Sequence, residues 1–148
     1  MSAKNYDPVM HTTEHILNRT MDNIYHCGRS VGTHLETKKS KCDYVIGHDL
    51  TPDEKKQIED TVNSVIAQNL EVKIYFVPPE QAPEMADVSK LPEEARNKDI
   101  RIVQIGEYDY CACIGLHVAR TGDIKGKFKI TTTTMVENGI CRMRWVCK

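Results

Sequence analysis

No stretch of this sequence approaches the roughly 18 consecutive apolar residues that a membrane-spanning helix needs. Its opening, Met1-Ser2-Ala3-Lys4-Asn5-Tyr6-Asp7, lacks the apolar middle of a secretory signal. A cytoplasmic protein with no membrane partner is therefore expected. Charge of one sign is missing too: 20 Lys and Arg stand against 21 Asp and Glu, a net of −1. No global field draws such a chain to nucleic acid. The six cysteines lack the dense, regular spacing of a disulfide framework and, without an export signal, are expected as reduced thiols. Cys27, Cys42, Cys141 and Cys147 read as small core or surface thiols. Aromatic residues are only 6% of the chain against 40% hydrophobic overall, and neither a repeat nor a linker interrupts the 148 residues. One domain over 1–148 is the expected organisation.

What is present is ordered by periodicity and punctuation. Asp7 and Pro8 read as the cap and first residue of a helix reaching about Tyr25. Leu17, Met21, Ile24 and Tyr25 form its apolar stripe, and His11, His15, Asn18 and Asp22 the stripe beside it. Residues 30–35 and 43–46 read as a strand pair joined by the lysine-rich 37–41. Thr51, Pro52 and Glu54 announce a second helix with a capping box, which buries Ile58, Val62, Val65, Ile66 and Leu70. Residues 71–77 alternate as a strand and stop at Pro78-Pro79. The acidic stretch 80–98, with Pro83 and Pro92, reads as short helical turns or a surface loop. Residues 100–105 and 108–113 predict a second strand pair. Asn138-Gly139 marks a hairpin between 127–135 and 140–146. The expected fold is α+β: a mainly antiparallel sheet packed against two main helices.

Two short motifs carry the chemistry. His11-Thr12-Thr13-Glu14-His15 sets two imidazoles four residues apart, on one face of a helix. Cys113-Ile114-Gly115-Leu116-His117 sets a thiol and an imidazole at the same spacing, about a hundred residues later. Imidazole and thiolate are the donors zinc favours, and four of them close a tetrahedral shell. The competing reading of His11 and His15 is a pair of solvent-facing or capping histidines. Cys111 would face the same way as Cys113 on a strand and stands as an alternate ligand. His26, His34 and His48 have no partner at useful spacing.

The first motif also fits H-x-x-E-H, the pattern of inverted zinc peptidases, in which Glu14 would be the general base and a downstream acid the third ligand. The chain is small for that class and so short a pattern often arises by chance; the competing reading of Glu14 is a first-turn acid stabilised by the helix dipole. The basic residues Lys125, Lys127, Lys129, Arg142 and Arg144 alternate in two groups. On strands each group would line one side and could meet phosphates, or could simply be solvated.

With these residues in hand, the sequence resembles the editing domain of alanyl-tRNA synthetase, and especially its free-standing relatives, the AlaX proteins; the threonyl-tRNA synthetase editing domain carries similar motifs. Residues 11–15 resemble the family's His-Thr-x-x-His. Val31-Gly32-Thr33 resembles the strand that follows, and Leu50-Thr51-Pro52-Asp53-Glu54 onward to Asn63 its second helix. Ile100-Arg101-Ile102-Val103 resembles the strand before the cysteine. Cys113 through His117, then Val118-Ala119-Arg120-Thr121-Gly122-Asp123-Ile124 and Phe128-Lys129-Ile130, is similar to Cys-Gly-Gly-Thr-His-Val-x-x-Thr-Gly-Glu-Ile-Gly-x-Phe-Lys-Ile.

The resemblance implies a zinc-dependent deacylase that hydrolyses the ester between tRNA and a wrong amino acid, typically serine or glycine on the tRNA for alanine. It makes His11, His15, Cys113 and His117 the zinc ligands, with a zinc-bound or zinc-oriented water as nucleophile and no side-chain base assigned. It puts Ser30 and Thr33 near the bound amino acid. Ile114 and Leu116 depart from the family's glycine and threonine, and a bulkier, more apolar wall there would retune or remove activity. The second account is then a non-catalytic, zinc-stabilised module that binds tRNA or a synthetase. With no synthetase core in these residues, the chain is expected to act in trans, and association with a synthetase would help it select its tRNA.

Overall fold

The computed structural model describes residues 6–88, 91 and 93–148. The first helix, α1, runs Pro8–Tyr25, with Asp7 Oδ1 accepting the amides of Val9 and Met10 at 2.9 and 3.2 Å. The second, α2, runs Pro52–Ala67 behind the expected capping box of Thr51 and Glu54. Both place proline where an amide has no helical partner to lose. One more short helix, α3, covers Ala82–Met85, and 3₁₀ turns cover Glu93–Asn97 and Thr121–Asp123. Positions 89, 90 and 92, within the stretch read as turns or loop, lie outside the described residues.

The strands are β1 (Gly32–Leu35), β2 (Ser40–Val45), β3 (Val72–Val77), β4 (Ile100–Ile105), β5 (Asp109–Ala112), β6 (Phe128–Val136) and β7 (Ile140–Cys147). They form two antiparallel sheets rather than one: β1-β2-β7-β6 and β3-β4-β5. The division falls where β5 ends and the chain leaves for the cysteine–histidine loop instead of pairing with β6. Between the sheets, α2 and that loop meet near Glu71, bridged to Arg120. The β1–β2 loop is shorter than the lysines suggested, since Ser40 already pairs with Leu35. The β6–β7 turn is as expected, with Asn138 and Gly139 both at positive φ.

The larger core lies between the helices and the inner face of the four-stranded sheet, where Met10, Ile16, Leu17 and Met21 of α1 meet Cys42, Tyr44, Met143 and Trp145. Ile58, Val62 and Val65 of α2 complete it. A smaller core gathers Val77, Ala82, Leu91, Ile100, Ile102 and Ala112 around the outer part of the second sheet. Among the described residues, no helix is long and apolar enough to cross a membrane. One feature of α1 departs from an ordinary amphipathic helix. Beside its apolar side chains it buries His11, Thr12, Thr13, Glu14, His15, Asn18 and Thr20.

Candidate metal centre

Those polar residues need partners, because a buried polar group left unpaired destabilises the fold by about 1–3 kcal/mol. The loop after β5 supplies them. It brings Cys113 and His117 against the first two turns of α1, so that one ligand atom from each of His11, His15, Cys113 and His117 lies within 4.8 Å of every other. Cys113 Sγ is 3.4 Å from His11 Nε2 and 3.6 Å from His117 Nε2. A tetrahedral zinc, with Zn–S about 2.3 Å and Zn–N about 2.0–2.1 Å, would hold sulfur and nitrogen roughly 3.5 Å apart. The four donors therefore fit that ion in kind and in spacing. Gly115 makes the approach possible: a β-carbon there would run into the His11 ring.

The far nitrogen of each imidazole faces a fixed group. His11 Nδ1 is 3.1 Å from the Leu116 carbonyl, which can only accept, so with a metal bound the proton would sit on Nδ1 and leave the Nε2 lone pair to the ion. His117 Nδ1 lies 2.9 Å from Thr12 Oγ1, which also accepts the Val118 amide at 3.2 Å. His15 Nδ1 lies 3.6 Å from Asp109 Oδ2. Asp109 is fully buried and takes Arg29 in a two-pronged pair at 3.0 and 3.2 Å, with Arg19 Nε at 3.0 Å. Carboxylate, carbonyl and hydroxyl behind ligating imidazoles are the outer supports that fix ring orientation in metal sites.

Electrostatics follows from this crowding. Burial alone would raise the Cys113 thiol, but hydrogen bonds from His11, His117 and His15 outweigh it and hold the group far below the ordinary thiol range. The sulfur is thus poised as thiolate, the form that binds metal. Burial lowers His117 to about 3, the neighbouring imidazoles adding to the effect, so it stays neutral. Burial would lower His15 as well, but Asp109 reverses the direction and lifts it to about 9. Burial would raise Asp109; the Arg29 guanidinium and His15 instead keep it ionised.

A cavity of about 70 Å³ adjoins the cluster, lined by Tyr6, Glu14, Asn18, Arg29, Thr33 and Cys111 among others. Glu14 is buried and lies beyond the first turn of α1, so it is not the first-turn acid that one reading allowed. Its Oε2 accepts Asn18 Nδ2 at 2.9 Å and Thr33 Oγ1 at 3.3 Å. Its Oε1, among the described residues, accepts no hydrogen bond and lies 3.9 Å from His15 Nε2. Thr33 lines the cavity; Ser30 is buried behind it, hydrogen-bonded to Thr33 through the two hydroxyls.

Other expected residues fall elsewhere. Cys111 lines the cavity but is not one of the four clustered ligands; its thiol contacts the Ala112 carbonyl, and burial pushes it well above the thiol range. The positions beside His11 and His15 are taken by Cys113 and His117, not by the acidic third ligand of the peptidase pattern. Ile114 and Leu116 are 38% and 56% exposed and do not line the cavity, so they form no apolar wall. Lys125 and Lys127 precede β6, so the expected strand alternation begins only at Lys129. Arg142 is held by Asp43 at 3.0 and 3.1 Å. Thr12, Arg29 and Asp109 were not singled out in the sequence. Thr12 lies inside the first motif, but nothing local marks Arg29 or Asp109.

Comparison with known proteins agrees with this picture. Residues 100–144, which include the cysteine–histidine loop, match the family described as the threonyl and alanyl tRNA synthetase second additional domain. The chain is 33% identical over 135 residues to an alanine–tRNA ligase of Petrotoga mobilis, and 31% identical over 148 residues to the mitochondrial alanine–tRNA ligase of Dictyostelium discoideum. It is 32% identical over 146 residues to the ligase of Rickettsia massiliae. These alignments cover 90–98% of this chain but only 15–16% of the ligases. The chain is thus similar, over nearly its whole length, to a short segment of alanine–tRNA ligases, and its likeness to the AlaX-type editing domain rests on both sequence motifs and this comparison.

Proposed function

We propose that this chain is a trans-acting deacylase of mischarged tRNA, working in the cytoplasm and removing serine or glycine from the tRNA for alanine. The observation that carries the reading is the convergence of three imidazoles and a thiolate beside a small cavity that the buried carboxylate of Glu14 helps to line, its Oε1 3.9 Å from His15 Nε2. His11, His15, Cys113 and His117 would hold zinc there. Zinc so held would supply Lewis-acid chemistry for orienting the substrate beside a water.

The chain's own residues do the rest. Glu14 Oε1 accepts a hydrogen bond from the attacking water, takes its proton as the water adds to the ester carbon, and returns it to the ribose oxygen as the ester C–O bond breaks and the amino acid is released. Asn18 and Thr33, both donating to Oε2, hold the carboxylate in place. The cavity, about 70 Å³, has room for a few atoms only, which favours a small amino acid and excludes bulky ones. Ordering these groups ahead of reaction is itself worth several kcal/mol. The exposed placement of Ile114 and Leu116 removes the main reason to read the site as disabled.

The test is incubation with alanine tRNA charged with serine or with glycine, beside serine tRNA charged with serine. Loss of label from the mischarged species alone is expected, and His11→Ala or Cys113→Ala should lose bound zinc and hydrolysis together. Full turnover by a metal-free variant would refute the zinc assignment. Binding of tRNA without any hydrolysis would make the chain a tRNA-binding module instead. Threonine tRNA charged with serine separates the alanine branch from the threonine branch.

A further inference from the structure

We propose a second binding site: a groove on the outer face of the four-stranded sheet that holds the phosphodiester backbone of the single-stranded 3′ end of an RNA. The groove encloses about 260 Å³ and is lined by His34, Glu36, Lys39, Lys41, Thr131 and Arg144, among others. Pairing register builds it. His34 of β1 stands opposite Lys41 of β2, Lys41 opposite Arg144 of β7, and Arg144 opposite Thr132 of β6. Strands lie about 4.8 Å apart, so this row sets the cations Lys41 and Arg144 side by side on neighbouring strands. Lys39 joins them from the β1–β2 turn, where its carbonyl accepts the Glu36 amide at 3.0 Å.

The charge balance of this face is one-sided. Asp43 is occupied by Arg142, and the Glu36 carboxylate lies 2.8 Å from His34 Nε2. Lys39, Lys41 and Arg144 have no ion pair among the described residues, on a chain whose net charge is −1. A concave surface with three cations against the single carboxylate of Glu36, together with the Thr131 hydroxyl, suits successive phosphates.

Position relative to the metal centre decides which phosphates. Thr33 lines the catalytic cavity and His34, the next residue, lines the groove. Successive residues of a strand point to opposite faces about 3.3 Å apart along the chain. Strand β1 is the edge of its sheet, so cavity and groove are separated by the thickness of one edge strand. An RNA whose terminal ester enters the cavity must carry its preceding nucleotides over that edge, where the groove receives them. The identity of this ligand rests on the proposed reading of an acylated RNA substrate; the cationic row does not.

The experiment measures binding of uncharged alanine tRNA, intact and trimmed of its last four nucleotides, by fluorescence anisotropy. The proteins compared are the unaltered chain and Lys41→Glu/Arg144→Glu, the first position half-buried and the second exposed. The substitutions should weaken binding of intact tRNA by about tenfold or more, and the slope of log K against log salt should flatten by about 1.4, roughly 0.7 per cation on a single strand. Trimming should weaken the unaltered protein and leave the variant nearly unchanged. The milder Lys41→Gln/Arg144→Gln should move the same way by less. The proposal is overturned if trimming costs both proteins equally, if the unaltered protein does not bind tRNA, or if Lys125→Glu/Lys127→Glu, outside the groove, weakens binding as much. Failure of the deacylase reading shows separately: groove-dependent binding persists while charged tRNA keeps its amino acid.

Discussion

Helices α1 and α2 begin alike, with a side-chain cap and a proline in the first turn, and then bury opposite kinds of residue. The buried side of α2 is Ile58, Val62, Val65 and Ile66, what packing on a sheet asks for. That of α1 includes two histidines, a glutamate, an asparagine and three threonines. Burying apolar area stabilises by about 25 cal/mol per Å², whereas each of those polar groups must find a partner merely to break even. A fold selected for stability alone would give α1 the composition of α2. The difference marks α1 as the helix on which function is built.

The widest separation between them should come from Glu14. Replacing it with glutamine keeps the side chain's size and one acceptor but removes the proton acceptor at Oε1. We expect the deacylation rate constant to fall by about 10²–10⁴, with zinc content and thermal unfolding little changed. A variant that turns over at the original rate would make Glu14 a structural residue and reduce α1 to a ligand-bearing helix.

On α2 the expectation reverses. Ile58→Ala should cost about 2–5 kcal/mol of folding stability, read from urea unfolding, since Ile58 is fully buried. Hydrolysis per folded molecule and zinc affinity should stay as they were. If activity drops more than the folded fraction does, α2 contributes to the site and the contrast fails.

The same contrast explains what could be read in the sequence. The start of helix α2 was legible, because capping box, proline and apolar spacing are all local signals, although Leu70, read as part of its buried side, lies beyond its end at Ala67. The β6–β7 hairpin was legible for the same reason. His11, His15, Cys113 and His117 stood out as spacing motifs, although nothing local says that residues 102 apart, such as His11 and Cys113, meet. The supports were invisible. Arg29 and Asp109 are 80 residues apart, and each alone reads as an ordinary surface charge. The division into two sheets was missed because alternation predicts strands, not partners. The basic alternation at 125–129 looked like a strand until the structure started β6 at Phe128. Of the groove cations, Arg144 was a phosphate candidate in the sequence, but its partner was hidden by register: Lys41 and Arg144 become neighbours only through the pairing of β2 with β7.

Asp109 tests one of those hidden supports. Asp109→Asn keeps the shape behind His15 but removes its charge, and zinc affinity measured against a competing chelator should weaken about 10–100-fold. Some stability will go with it, since Arg29 loses a buried counter-charge. The metal readout isolates the positioning role, because the stability loss alone would leave affinity in the folded fraction unchanged. An unaltered zinc constant would assign Asp109 to the fold only.

The smallest effects fall on the two caps, and they compare the helices most directly. Thr51→Ala and Asp7→Ala each remove a side chain that accepts first-turn amides, and each should cost about 1 kcal/mol. On α2 that is the whole consequence, because the first turn carries no chemistry. On α1 the cap is one turn from His11, whose own amide bonds the Asp7 carbonyl at 2.9 Å. Fraying there should loosen one of the four donors. Equal stability losses with a weakened zinc constant for Asp7→Ala alone would show that the two starts, alike in sequence, serve different ends. Equal zinc constants would mean that the loop from Cys113 to His117 holds His11 in place without help from the helix start.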